Sequence, residues 1–373
     1  MDVNLPLPLL GGISPNTFMR RHWQRKPLLI RQAIPGFAAP LDRAALLALA
    51  EQPQVESRLV AGSAHEGWKL RQGPFARRSL PPFKQANWTL LVQGVDLHVE
   101  SAHELLRRFR FVPDARLDDL MVSYATPGGG VGPHFDSYDV FLLQAQGRRR
   151  WRIGRQKDLS LQEGSPLKIL AHFEPEEEFV LEPGDMLYLP PRYAHDGVAL
   201  DECLTYSIGF QAPRHGDLAA EMLQRLAQDA PEEAGNGMYR DAEQKAVSTP
   251  GEIPPGLADF AQQALERALH DPQVLARSLG EHLTEPKARV WFDVVNGGTL
   301  AGPIRLDRRT RMMYDQHHIF INGEGFRAAG RDAQLMHRLA DQRVLDAADF
   351  AKTSAQARSL MQTWFEAGWL HGG

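Results

Sequence analysis

Gly129-Gly130-Val131-Gly132-Pro133-His134-Phe135-Asp136-Ser137-Tyr138-Asp139 runs into an apolar stretch, residues 140–143, that reads as a strand. Residues i and i+2 of a strand point to one face, so the spacing sets the His134 imidazole beside the Asp136 carboxylate. Downstream, residues 181–195 (Leu-Glu-Pro-Gly-Asp-Met-Leu-Tyr-Leu-Pro-Pro-Arg-Tyr-Ala-His) read as a turn, a short strand, a Pro-Pro stop and a further histidine, His195. Two histidines and one carboxylate make the facial set that holds a non-haem Fe(II) and leaves coordination positions open.

A His-x-Asp tripeptide is short, and three neighbouring features give it meaning. The glycines before it permit close backbone approach where the chain enters a pocket. Glu182-Pro183-Gly184-Asp185 is a recognisable turn ahead of the distal histidine. In Gly147-Arg148-Arg149-Arg150-Trp151-Arg152-Ile153, alternation puts Arg149 on the inward face with Trp151, and Arg148, Arg150 and Arg152 outside. An inward guanidinium needs a partner, and a ligand carboxylate binds it bidentately.

With those residues in place, the order His-x-Asp, a basic residue on the following strand, then Pro-Gly-Asp-x-Leu-Tyr-x-Pro-Pro and a histidine resembles the JmjC-type 2-oxoglutarate oxygenases. The string from Pro127 to Phe141, together with the arginine run before Ile153, is similar to the bacterial ribosomal oxygenase subgroup. So is the opening His22-Trp23-Gln24-Arg25-Lys26-Pro27-Leu28. The resemblance implies a double-stranded β-helix (cupin or JmjC jelly roll), followed by a helical segment and a winged-helix-like C-terminal domain. It implies Fe(II) held by His134, Asp136 and His195, with 2-oxoglutarate and O2 as cosubstrates and Arg149 on the far carboxylate of 2-oxoglutarate. It also implies hydroxylation of an arginine at carbon 3 in a ribosomal protein of the large subunit.

Other residues can complete such a site. Ser123, Thr205 and Ser207 offer hydroxyls on neighbouring strands for the cosubstrate. A guanidinium substrate calls for a carboxylate and an aromatic face. Asp118 or Asp119 can supply the first and Tyr138 the second, and the resemblance favours Asp119. Asp139 is expected to be locally structural, and Phe135 to turn away from the metal into packing. Two alternatives stay open at this level: a cupin metal protein that is not an oxygenase, and an oxygenase that hydroxylates histidine or demethylates a basic protein. Gly128-Gly129-Gly130-Val131-Gly132 is no phosphate loop, since no Gly-Lys-Ser/Thr follows.

The 373 residues suggest two or three domains. A net charge of −4 argues against an electrostatic nucleic-acid binder. The single cysteine, Cys203, rules out an internal disulfide framework and fits a reducing compartment. With no signal-like start and no membrane-length apolar run, the expectation is a cytoplasmic protein.

Residues 1–213 mix short apolar strands with turns, as the catalytic β domain would, decorated by helices near 14–23, 44–51 and 102–109. Residues 214–283 read as a helical segment, with helices at 217–226, 257–269 and 272–283 and a linker at 230–256. Its apolar surface suggests a homodimer. Residues 284–373 carry strands near 302–306, 312–314 and 317–322, a turn at Asn322-Gly323, and helices at 331–339, 347–350 and 355–367. His317-His318 reads as a strand-edge pair rather than a metal site.

Overall fold

The computed structural model describes residues 2–63 and 67–372. The chain divides into two compact units, Met1–Ala212 and Pro213–Gly373. Both carry antiparallel sheet and helix, mainly β in the first, in line with the expected fold class.

The first unit holds strands β1 (Leu28–Ile30), β2 (Ser57–Ser63), β3 (Gly67–Gln72), β4 (Trp88–Val92), β5 (Leu117–Ala125) and β6 (Val140–Gln146). They are followed by β7 (Arg149–Gly154), β8 (Glu177–Leu181), β9 (Met186–Leu189), β10 (Ala194–Ala199) and β11 (Cys203–Phe210). Eight strands form one sheet in the order β1-β9-β6-β11-β5-β4-β2-β3, and three form a second, β10-β7-β8. Helices α1 (Pro15–Arg21), α2 (Arg43–Ala50) and α3 (Glu100–Arg107) start close to where the sequence places them. The Ser14 and Asp42 side chains cap α1 and α2 by accepting from Thr17 N and Ala45 N.

The pleat of β6 shows how the layers are built. Val140 and Leu142 pack with Trp151, Ile153, Leu181, Leu187 and Leu189, between the two sheets. Phe141 and Leu143 point the other way, into a core shared with Phe18 of α1 and with Leu105, Leu106 and Phe109 at α3. A strand buried on both faces reads as a continuous apolar run, and each such side chain contributes roughly 1.5–3 kcal/mol by leaving water. On β5 and β11 the same period sends Val122, Tyr124, Leu204 and Tyr206 into the helix-covered core. Asp119, Ser123, Thr205 and Ser207 fall on the opposite face, inside the jelly roll.

The second unit opens with α4 (His215–Ala234), α5 (Pro255–Ala268) and α6 (Pro272–Thr284). Helix α4 continues through Pro231 to Ala234, past the expected linker start at 230. A proline this near the end disturbs only the last turn, whereas sequence rules read it as a stop. Asp271 caps α6, with Pro272 in its first turn. Two three-stranded sheets follow. One is β13 (Met312–Tyr314), β14 (His318–Ile321) and β15 (Glu324–Arg327); the other orders β16 (Val344–Leu345), β12 (Ile304–Leu306) and β17 (Leu370–Gly372). Asn322 and Gly323, both at positive φ, turn β14 into β15. Helices α7 (Gly330–Gln342), α8 (Ala347–Ala351) and α9 (Ala355–Glu366) complete the unit around a core that includes Leu335, Leu339, Met361 and Trp364. No helix among the described residues is long and apolar enough to cross a membrane.

Candidate active site

His134 and Asp136 do not lie in a regular strand as the spacing suggested. The ladder of β6 begins only at Val140, and His134 makes a single isolated bridge to His195 at the start of β10. That bridge is reciprocal: His134 N donates to His195 O at 3.0 Å, and His195 N to His134 O at 2.8 Å. Arg192, held at positive φ after Pro190-Pro191, donates its N–H to Asp136 O at 2.7 Å and ties the two ligand-bearing segments together again. The candidate ligand atoms of His134, Asp136 and His195 all lie within 4.8 Å of one another.

The imidazoles are already set for coordination. His134 Nδ1 lies 2.9 Å from Gly132 O, and His195 Nδ1 lies 3.0 Å from Tyr193 O. A carbonyl can only accept, so each Nδ1 carries a proton and Nε2 is the nitrogen left for a metal. His195 Nε2 stands 3.6 Å from Asp136 Oδ2. Burial, reinforced by the neighbouring His134, pushes the His195 pKa down to about 4, so the ring is neutral at physiological pH. Two imidazoles and a carboxylate drawn this close can hold a divalent cation.

The glycines ahead of His134 are dictated by close approach. A Cβ on Gly129 would lie 2.4 Å from Trp88 O, and one on Gly130 2.6 Å from Gly197 O. A second cluster of side chains of metal-ligating type, Glu221, His282 and Glu285, lies in the other unit. Arg225 already bridges its carboxylates at 2.9 and 2.6 Å. His318, expected at a strand edge, is buried in β14 with its ring against Asp315.

Arg149 projects inward from β7, only 3% exposed. Its guanidinium donates to Ser123 Oγ (3.2 Å), Thr205 Oγ1 (3.3 Å) and Gly197 O (3.1 Å), with the Trp151 ring 5.1 Å away. All of these partners are neutral, and Nε has none. No carboxylate among the described residues forms an ion pair with Arg149, which feels Asp196 only at longer range, so the buried guanidinium can take a ligand carboxylate. Arg148 and Arg152, expected on the outer face, pair there with Asp201 and Asp196. Ser207 shares the inner face with Thr205 but has no bond to Arg149.

Asp118 and Asp119 both lie within β5 rather than before it, and the pleat separates them. Asp119 shares the inner face with Ser123, and its Oδ2 accepts from Gln93 Nε2 and Gly94 N, each at 2.9 Å. Tyr138 is 40% exposed, and its phenol lies near Asp136 and Asp119. Partial burial and then those carboxylates hold its pKa well above the usual phenol value, so it stays a neutral donor. Asp139 is structural but not local: it accepts from Tyr188 Oη at 2.5 Å and from Gln24 across the fold. Phe135 is half-buried and joins none of the apolar clusters, so it does not take the packing role expected of it.

Sequence reasoning missed Gln144, Gly197 and Arg192. Each acts through residues distant along the chain, and only the glycine leaves a mark in the sequence.

Residues 104–218 match the JmjC domain family, and residues 267–371 match the ROXA-like winged helix family. The chain is 36% identical over 274 residues to the ribosomal protein uL16 3-hydroxylase of Escherichia coli (strain K12), covering 72% of this chain and 71% of that protein. It is 38% identical over 210 residues to a probable ribosomal oxygenase of Haemophilus influenzae, covering 55% of this chain and 52% of that one. A solved structure of YcfD, a ribosomal oxygenase from Escherichia coli, in complex with cobalt and 2-oxoglutarate, is similar with a TM-score of 0.79 at 30% identity. That match covers 95% of this chain and 97% of the other.

Proposed function

The chain belongs to the JmjC-domain ribosomal oxygenases and is a 2-oxoglutarate-dependent oxygenase, and from that premise we propose that it hydroxylates carbon 3 of an arginine in a large-subunit ribosomal protein. The non-oxygenase cupin reading falls away with the family assignment.

One observation carries the proposal: the inner face sets a buried guanidinium on β7 and a buried carboxylate on β5. Buried Arg149 forms no ion pair with a carboxylate among the described residues and suits the far end of 2-oxoglutarate. Asp119, with Tyr138 nearby, suits a substrate guanidinium. His134, Asp136 and His195 would hold Fe(II), the Nδ1 protons of the two histidines already committed to carbonyls. Bound there with 2-oxoglutarate and O2, iron supplies the oxidant that converts C–H to C–OH, the cosubstrate leaving as succinate and CO2. The residues of this chain orient. Arg149 fixes the cosubstrate by its distal carboxylate, while Asp119 and Tyr138 fix the substrate side chain so that one carbon faces the metal.

Asp119→Ala separates the two roles. The expected result is a loss of peptide hydroxylation of at least tenfold, while peptide-independent conversion of 2-oxoglutarate to succinate changes little. Equal loss of both would remove Asp119 from substrate binding. The proposal also includes a cytoplasmic location and a homodimer through residues 214–283. Exposed Leu223, Leu265 and Leu269 on and beside α4 and α5 support the dimer.

A further inference from the structure

We infer that Gln144 is a positioning residue for the cosubstrate: its buried side-chain amide commits the Thr205 hydroxyl proton and thereby makes Thr205 a support for Arg149 rather than a donor to ligand. This rests on the reading of Arg149 as the 2-oxoglutarate anchor and deepens it.

Directionality carries the argument. Gln144 is fully buried, and its Nε2 donates to Gln146 O (2.9 Å) and Gly147 O (3.2 Å). Two carbonyls on the NH2 side fix which end of the amide is which, so Oε1 must face Thr205 Oγ1, 3.0 Å away. An amide oxygen only accepts, so the single hydroxyl proton of Thr205 goes to Gln144. Toward Arg149 Nη1, 3.3 Å off, Thr205 can then offer only a lone pair. A ligand carboxylate arriving here meets the guanidinium but not a Thr205 proton.

The backbone is shaped to place this amide. Gln144 follows Val140 and Leu142 on the inward face of β6 and pairs with Thr205 on β11. The next pair is Leu204 with Gln146, so Ala145 is an extra residue in the ladder. Such a bulge re-aims the side chain beside it and is common next to active sites. The turn before β9 clamps the same residue: Gly184 N donates to Gln144 O, and Gln144 N donates to Asp185 O, both at 2.9 Å. A buried carboxylate in place of the amide would neutralise Arg149, whereas the amide orders the hydroxyl without charge.

The test is calorimetric titration of 2-oxoglutarate, and separately of pyruvate, into the Mn(II)-loaded full chain. Pyruvate shares the keto-acid end but lacks the distal carboxylate. Gln144→Met and Thr205→Val are each expected to weaken 2-oxoglutarate about tenfold and leave pyruvate within about twofold. If Gln144 acts through Thr205, the double variant binds 2-oxoglutarate no more weakly than the poorer single variant. Losses that multiply in the double variant, or an equal loss for pyruvate, would overturn the inference. Should Gln144→Met not fold, Gln144→Asn, one methylene too short to reach Thr205, carries the same prediction. Arg149→Ala is the control for the underlying reading. Unchanged 2-oxoglutarate affinity there sinks the Arg149 assignment itself, whereas loss there with none at Gln144 sinks only the inference.

Discussion

A Cβ on Gly197 would lie 2.6 Å from the Trp151 ring, on the strand that carries His195. Trp151 is buried between the sheets and cannot move aside without disturbing the core. Gly197→Ala is therefore expected to cost roughly 1–3 kcal/mol of stability. It should also weaken Mn(II) binding, because β10 must shift with His195 on it. A melting curve and a metal titration read the two effects, and unchanged metal affinity would detach Gly197 from the site. At this scale the sequence was informative wherever a residue type has one strong demand. The inward side of Arg149 followed from alternation about Trp151, and the glycines before His134 announced close approach. Gln144 was silent because a glutamine on a strand makes no demand until its partners are known. Thr205 was legible only as one hydroxyl among many.

Elements are held by a few polar ties as well as by apolar cores. Asp307, just after β12, is 3% exposed and accepts from Arg309 and from His371 on β17. Burial alone would raise its pKa, but the Arg309 and His371 bonds outweigh it and lower the carboxyl from 3.8 to about 2. A depressed carboxyl stabilises the fold above its unfolded pKa, and the benefit fades as pH falls through the folded one. Asp307 should thus contribute about 2 kcal/mol at neutral pH that is lost between about pH 4 and pH 2. In urea melts of the full chain, Asp307→Asn should reduce stability at pH 7 and close the gap to wild type near pH 2. A gap independent of pH would contradict the assignment. Periodic, capped elements such as α1 and α6, and the Asn322-Gly323 turn, were readable from sequence. The short strands β15, β16 and β17 were not, since two to four residues carry too little period to stand out and exist only through their neighbours.

For the whole molecule, the second compact unit, Pro213–Gly373, opens on helices α4 and α5. Leu223, Leu265 and Leu269 are each more than half exposed, a large uncovered apolar surface for two helices. Light scattering should give a dimer mass for the wild type and a monomer mass for Leu223→Glu combined with Leu265→Glu. A wild-type monomer across the micromolar range would remove the dimer from the account. The central claim concerns what the site does, and isotopic labelling tests it most directly. The Fe(II)-loaded chain would be incubated with 2-oxoglutarate, O2 and ribosomal proteins whose arginines carry deuterium at carbon 3, followed by peptide mass analysis. The account predicts one arginine in one large-subunit protein that gains an oxygen and loses a single deuterium. A gained oxygen on histidine, or on arginine with every deuterium retained, would contradict it.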